Sequence, residues 1–285
     1  MQHRTLLITG ASSGLGHAVA RRALRTGHTV IGTVRTAEAA AAFESLAPGS
    51  AHARILDVSR FQDAETTVTE IERTVGPIDV LIAAAGYGHE GTVEESSMDE
   101  MRRQFDVNVF GTVALIKAVL PGMRHRRSGH IITITSVGGL IPSPTLGIYN
   151  ASKFALEGIT RSLAAEVSRF GIHVTAIEPG AFRTDWSGRS LHRAARSIPD
   201  YDELIDPISN ARAGFNGRQP GDPDKAGDAI LRLIDLENPP THLLLGSDAY
   251  RAVTDTLSAF HTEVEQWRHL TLATDFTADS TSGAA

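Results

Sequence analysis

Short apolar runs alternate with stretches of helical periodicity along almost the whole chain, and this alternation constrains its fold more than any other feature. Residues 4–9 (RTLLIT) run straight into a glycine-rich turn, after which Leu15, Ala18, Val19 and Ala23 recur at helical spacing over 15–25. The same pairing of strand and helix repeats at 29–34 with 37–47, 51–56 with 61–75, and 78–84 with 96–123. It continues through 130–135, 149–169, 172–177, 223–236 and 242–246. Runs apolar on both faces, each followed by a helix, predict an α/β fold: a doubly wound, mostly parallel, Rossmann-like sheet with helices on both faces. A single domain over 1–270 is expected, with an insertion at 181–222 and a flexible, small and polar tail at 271–285.

Composition narrows the function classes. The 27 Lys and Arg residues against 33 Asp and Glu give a net charge of −6, and the basic residues are dispersed, which argues against a nucleic-acid partner. The densest basic cluster, RHRR at 124–127, falls at a predicted helix end, where cations suit the dipole. With no cysteine, disulfides, thiolate metal sites and a cysteine nucleophile are excluded. The 12 histidines show no His-x3-His or His-Glu-x2-His spacing on a predicted helix, so no metal is expected, and His125 and His130 read as surface groups near a helix end. No run approaches the roughly 18 apolar residues of a membrane helix, and the amino-terminal run is too short for a signal peptide, so a cytoplasmic enzyme without a membrane partner is expected.

The turn Thr9-Gly10-Ala11-Ser12-Ser13-Gly14-Leu15-Gly16 sits between the first strand and the first helix, where a pyrophosphate can lie against helix amides. Gly10 permits the tight turn, Gly14 lets backbone approach the phosphates, and Gly16 allows close packing of helix on strand. Taken alone this spacing also suits an ordinary connection; its place in the chain favours a dinucleotide. The second strand ends in Arg35, not in the acid that would bind an NAD ribose. A guanidinium there suits the 2′-phosphate of NADP(H), with Ser12 and Ser13 as further donors, so NADP(H) is expected over NAD(H). The plainer alternative is a solvated surface arginine.

The most specific signal is Ser136 at the end of the fifth strand, followed by Tyr149 and Lys153, which share one helix face at i and i+4. A phenol titrates at about 10, so proton exchange at neutral pH needs nearby positive charge. Lys153 would supply it, joined by an oxidised nicotinamide. Ser136 and the Tyr149 hydroxyl would hydrogen-bond a substrate oxygen as charge builds on it, and Tyr149 would pass its proton.

These pieces together resemble the short-chain dehydrogenase/reductase family over residues 4 to about 246. The matches are TGASSGLG at 9–16, Asp57-Val58, Ala85-Gly86, Asn108, Ser136, YNASK at 149–153, and Pro179-Gly180 with Thr184. The resemblance implies hydride transfer between NADP(H) and a carbonyl or secondary alcohol, with Asn108, Ser136, Tyr149 and Lys153 catalytic. It further implies that Asn108 positions a water linked to Lys153, that Lys153 holds the nicotinamide ribose, and that Asp57 and Val58 flank the adenine. Ala85 and Gly86 would border the cofactor, and Pro179, Gly180 and Thr184 the carboxamide. One departure stands out: Ala83-Ala84 replace a pair of asparagines common in the family, removing amides that tie the central strands.

The substrate is expected to be small and apolar. Phe182, Trp186, Ile198, Tyr201, Leu204 and Phe215 would form a lid, and Leu140, Ile141 and Ile148 a pocket wall, beside Gly86-Tyr87-Gly88-His89-Glu90. Small residues Ala114, Ala118, Ala151, Ala155 and Gly158 on the helices at 104–123 and 149–169 suit the close contacts of a homodimer or homotetramer. A sugar-nucleotide epimerase is disfavoured by the turn spacing. The competing class is an NADP(H)-binding sensor or structural protein without turnover, supported only by the Ala83-Ala84 departure.

Overall fold

A computed structural model describes residues 3–276. In chain order the elements are β1 (Thr5–Ile8), α1 (Gly14–Arg25), β2 (Thr29–Val34), α2 (Ala37–Glu44), β3 (Ala51–Ile55), α3 (Asp63–Thr74), β4 (Val80–Ala83) and β5 (Gly88–Glu90). Then come α4 (Met98–Phe105), α5 (Gly111–Arg126), β6 (Gly129–Ile134), α6 (Gly147–Val167), β7 (Ile172–Pro179), β8 (Leu191–Arg193), α7 (Asp202–Phe215), α8 (Pro223–Leu233), β9 (His242–Leu245), α9 (Ser247–Gln266) and α10 (Arg268–Leu272). Seven strands form one parallel sheet in the order β3-β2-β1-β4-β6-β7-β9. The winding reverses between β1 and β4, and that switch point opens a crevice at the carboxyl ends of the strands.

Both faces of the sheet are buried, as the unbroken apolar runs require. Leu6, Ile8, Val30, Val80, Ile82, Ile132 and Ile177 point to one face, where Val19 and Ala23 of α1 meet Ile230 and Leu233 of α8. Leu7, Ile31, Leu81, Ile131 and Val174 point to the other, under Val68 and Ile71 of α3, Leu115 and Val119 of α5, and Leu163 of α6. Capping residues set where helices begin: the Thr36 hydroxyl accepts from Ala39 N, Ser97 and Glu100 form a reciprocal capping box on α4, and Asp222 caps α8 ahead of Pro223. Arg127, left-handed at φ 57°, closes α5. Arg126 donates to Glu72 and to the Ile78 carbonyl, so the basic cluster clamps the end of α5 to α3.

Four expectations change. The excursion at 181–222 carries β8 and α7 instead of running irregular; Pro207 inside α7 and its polar sequence mask the periodicity. The helices after β9 have no counterpart in the sequence reading, and α10 and the following residues reach into the expected tail, whose residues 277–285 lie outside the described residues. His130 is not a surface group. It is buried in β6, its Nε2 lies 3.0 Å from Thr175 Oγ1, and burial pushes its pKa down to about 3. Finally, Met98–Arg126 is long and apolar enough to cross a membrane on length and composition; its apolar side, with Leu115, Ile116, Val119 and Met123, instead fills the core.

Candidate active site

The crevice encloses about 1400 Å³, and its rim and floor come from the ends of β1, β2, β4, β6 and β7. The β1–α1 turn makes one wall. Gly10 and Gly14 are left-handed at φ 65° and 60°, a conformation that disfavours any side chain there. A Cβ on Gly10 would sit 3.0 Å from Ala85 Cα, and one on Gly16 would sit 2.7 Å from the Gly10 carbonyl oxygen. Ser13 precedes α1 without capping it, and the first turn of α1 carries no acid. The helix therefore presents unsatisfied amides and the positive end of its dipole to the crevice, with no carboxylate competing for them. This cradle fits a dinucleotide pyrophosphate.

Ser12, Ser13, Leu15, Arg35, Asp57, Val58, Ala85, Gly86, Pro179, Gly180 and Thr184 all line the same crevice, as do Ser136, Tyr149 and Lys153. Arg35 follows β2 directly, is exposed, and has no hydrogen-bond or ion-pair partner among the described residues. Asp57 accepts from the Ser59 hydroxyl at 2.7 Å and the Ser59 amide at 3.0 Å; these bonds, with Arg35 adding a smaller pull, hold its carboxyl below the usual range. The Ala83-Ala84 departure leaves β4 secured by other means, because the Thr9 hydroxyl accepts from Ala84 N at 3.0 Å and Ala85 N at 2.9 Å.

On the floor, Tyr149 and Lys153 project from one face of α6, and both are buried. Lys153 Nζ donates to the Ile134 carbonyl at 2.9 Å and lies 5.9 Å from the centre of the Tyr149 ring. Ser136 follows β6 and accepts from Gly138 N at 2.9 Å. Asn108 does not line the crevice; it is fully buried in a π-helical turn, Asp106–Phe110, between α4 and α5. Its Oδ1 accepts from Tyr87 N at 3.1 Å, and its Nδ2 donates to the Tyr87 carbonyl at 3.0 Å and Ser152 Oγ at 3.2 Å. A Cβ added to Gly86 would lie 3.1 Å from Asn108 Oδ1 and 3.7 Å from Lys153 Nζ, so these two side chains converge on Gly86.

Burial dominates the electrostatics of this floor. It pushes the Tyr149 phenol up to about 12, against a lowering contribution from Ser136, and the Lys153 ammonium down to about 8, against the attraction of Glu157 one turn along α6. The protein alone thus keeps the phenol protonated at neutral pH, and the lowered value expected from Lys153 is not reached without further positive charge.

Two positioning residues escaped the sequence reading. Asn150 donates to the Gly138 carbonyl at 2.7 Å and accepts from Ser143 N at 3.1 Å, pinning the loop between Ser136 and Tyr149 onto α6. Its place inside YNASK was the available signal. Asp248, at the start of α9, accepts from Ala181 N at 2.7 Å, and a Cβ on Gly180 would meet its carboxylate at 2.5 Å. Only the unpredicted α9 brings it there.

The 181–222 segment covers one side. Of the expected lid residues, Phe182, Trp186 and Phe215 line the crevice, and the Trp186 ring lies 5.3 Å from that of Tyr149. Ile198, Tyr201 and Leu204 do not; the Tyr201 hydroxyl donates to Glu94 instead. Ile141 lines the wall, whereas Leu140 and Ile148 do not. β8 pairs in parallel with β5, placing His192 beside His89. His192 Nε2 lies 2.9 Å from Glu100 Oε1, and His89 Nε2 lies 2.8 Å from Ser96 Oγ, so histidines dispersed in sequence meet on the small β5–β8 sheet. The buried Glu90 carboxylate pairs with Arg212 of α7 and Arg193 of β8 and accepts from the Ser209 hydroxyl at 2.6 Å.

Fold and crevice together define a Rossmann-type nucleotide-binding protein. The family profile described as short chain dehydrogenase matches residues 4–194. A crystal structure of a short-chain dehydrogenase from Streptomyces avermitilis superposes with a TM-score of 0.89 at 37% identity, covering 97% of this chain and 100% of that one. Among sequence relatives, oxidoreductase BOA17 of Botryotinia fuckeliana is 35% identical over 270 residues, 93% of this chain and 97% of its own length. The 3-ketodihydrosphingosine reductase of Bacteroides thetaiotaomicron is 36% identical over 248 residues, 86% of this chain and 89% of its own. The chain belongs to the short-chain dehydrogenase/reductase family of NAD(P)-using oxidoreductases.

Proposed function

We propose that this protein transfers a hydride between NADP(H) and a carbonyl or secondary alcohol, with Tyr149 as the general acid and base. The observation that carries this reading is the meeting of Ser136, Tyr149 and Lys153 at the crevice floor, with the nucleotide cradle of Gly10–Gly16 leading to it. The nicotinamide, when bound, supplies or accepts the hydride. In reduction, Ser136 and the Tyr149 hydroxyl hold the substrate oxygen, and Tyr149, protonated at neutral pH, donates as charge develops there. Lys153, its Nζ 5.9 Å from the centre of the Tyr149 ring, would stabilise the phenolate by its charge and would also hold the nicotinamide ribose. Asn108, braced by Tyr87 and Ser152, positions the water that returns the proton through Lys153.

The substrate in this reading is an apolar ketone or alcohol. Ile141, Leu146, Trp186, Leu191 and Phe215 give the crevice apolar walls, and a relative named for a 3-keto sphingoid base supports a long-chain ketone. Residues 1–270 act as one catalytic unit, with 181–222 as the substrate cover. Assembly into a homodimer or homotetramer is supported by the exposed Phe110, Ala151, Phe154 and Gly158 on and beside α5 and α6; Ala114 and Ala118 face the core instead.

Arg35 selects the cofactor in this account. Titration with NADPH and NADH should show a preference for NADPH in the wild type, and Arg35→Ala should weaken NADPH binding about 10- to 100-fold, the worth of charged hydrogen bonds of about 1.5–3 kcal/mol, while leaving NADH unchanged. Equal binding of both cofactors by the wild type would remove Arg35 from the site.

A further inference from the structure

The carboxyl-terminal arm, α9 with α10, has almost no tertiary packing of its own. Ala249 and Val253 are buried near β9, but from Leu257 to Phe276 every described residue is exposed. A helix with so little packing is marginal in water, because most helical stability in proteins comes from burying an apolar face. This arm has such a face. Tyr250, Val253, Leu257, Phe260, Val264 and Trp267 recur at alternating steps of three and four, the a/d seam of a coiled coil, and all but Val253 are roughly half or more exposed.

Three observations say what covers it. Residues 277–285 (TADSTSGAA) offer no large apolar side chain to fold back over the seam. The arm carries Asp248, Asp255, Glu263, Glu265 and Asp275 against only Arg251 and Arg268, an acidic balance that suits a lipid headgroup surface poorly. Beside the seam, Glu263 lies near the end of α9 and Arg268 opens α10 across the turn at Trp267, so that parallel pairing brings the acid of one arm and the base of the other to the same end of the seam. We propose that the arm is a self-association element that pairs in parallel, seam to seam, with the same arm of a second copy of this chain. The exposed seam, with Leu270 and Leu272 beyond it, offers on the order of 600–900 Å² per protomer, against about 800 Å² per partner in a standard interface. This contact is separate from the faces of α5 and α6 and does not depend on the proposed chemistry.

The test compares the mass in solution of the wild type and a Leu257→Glu/Phe260→Glu variant by sedimentation, with circular dichroism and thermal unfolding confirming the fold. The variant should lose one association step, dimer to monomer or tetramer to dimer. In this cysteine-free chain a Phe260→Cys variant should form an intermolecular disulfide on mild oxidation, since parallel in-register pairing brings the two positions face to face. Unchanged mass in the double variant overturns the proposal, as does failure of the Phe260→Cys chains to cross-link. Flotation of the wild type with phosphatidylcholine/phosphatidylserine vesicles, abolished in the double variant while the mass stays constant, would assign the seam to a membrane and equally overturn it.

Discussion

His130 illustrates how one side chain can tie the stability of this fold to pH. Its imidazole is buried in β6 against Thr175, and burial lowers its pKa from 6.5 to about 3, with His173 adding to the shift. The unfolded chain therefore binds more protons than the folded one between those values, so stability falls as pH drops through this window, by about 1.4 kcal/mol per unit at its steepest. Denaturant titrations between pH 7 and about 4 should show the loss, and a His130→Gln variant should show a shallower one; an identical acid limb in both would remove His130 from the account. His130 opens the apolar run at 130–135, whereas His125 stands in the basic cluster at a helix end; that difference was the available signal, and only the lack of alternation in a strand buried on both faces hid the burial of the imidazole. The convergence of Ser136, Tyr149, Lys153 and the turn glycines on one crevice was legible because the proposed chemistry fixes both residue type and spacing. Asn150 and Asp248 were not, since a hydrogen bond to backbone leaves no periodic trace.

At the level of elements, the sheet and its covering helices could be read from the sequence, and the parts resting on the crevice rim could not. All seven strands of the main sheet follow apolar runs, whereas β5 and β8 are three residues each and exist through their mutual pairing. α7 is hidden by Pro207 and a polar sequence, and its anchorage comes from the buried Ile205 and from the Glu90 carboxylate, which pairs with Arg212 and accepts from the Ser209 hydroxyl. Removing one partner of a buried pair is costly, on the order of 3–5 kcal/mol when the rest of the structure cannot relax. Here the cost can be relieved by release of α7. Arg212→Ala should therefore raise KM for an apolar ketone several-fold and speed proteolysis within 181–222, while leaving NADPH affinity near the wild-type value; unchanged KM and proteolysis would detach α7 from the role of substrate cover.

Across the whole molecule, one architectural fact places the candidate site. The sheet winds outward in both directions from β1 and β4, so the amides of α1, the arginine after β2 and the serine after β6 all face one crevice. α6 then carries the tyrosine and lysine beneath it, and the π-helical turn delivers Asn108 from behind. The proton-transfer role of Tyr149 is the claim on which the rest of this mechanism depends. It is tested most directly by following NADPH oxidation with a series of medium- and long-chain aliphatic ketones in the wild type and in Tyr149→Phe, which keeps the ring and its packing against Trp186. The wild type should turn over, and the variant should lose about 10²- to 10⁴-fold in kcat with NADPH binding retained. Full activity in Tyr149→Phe would contradict it.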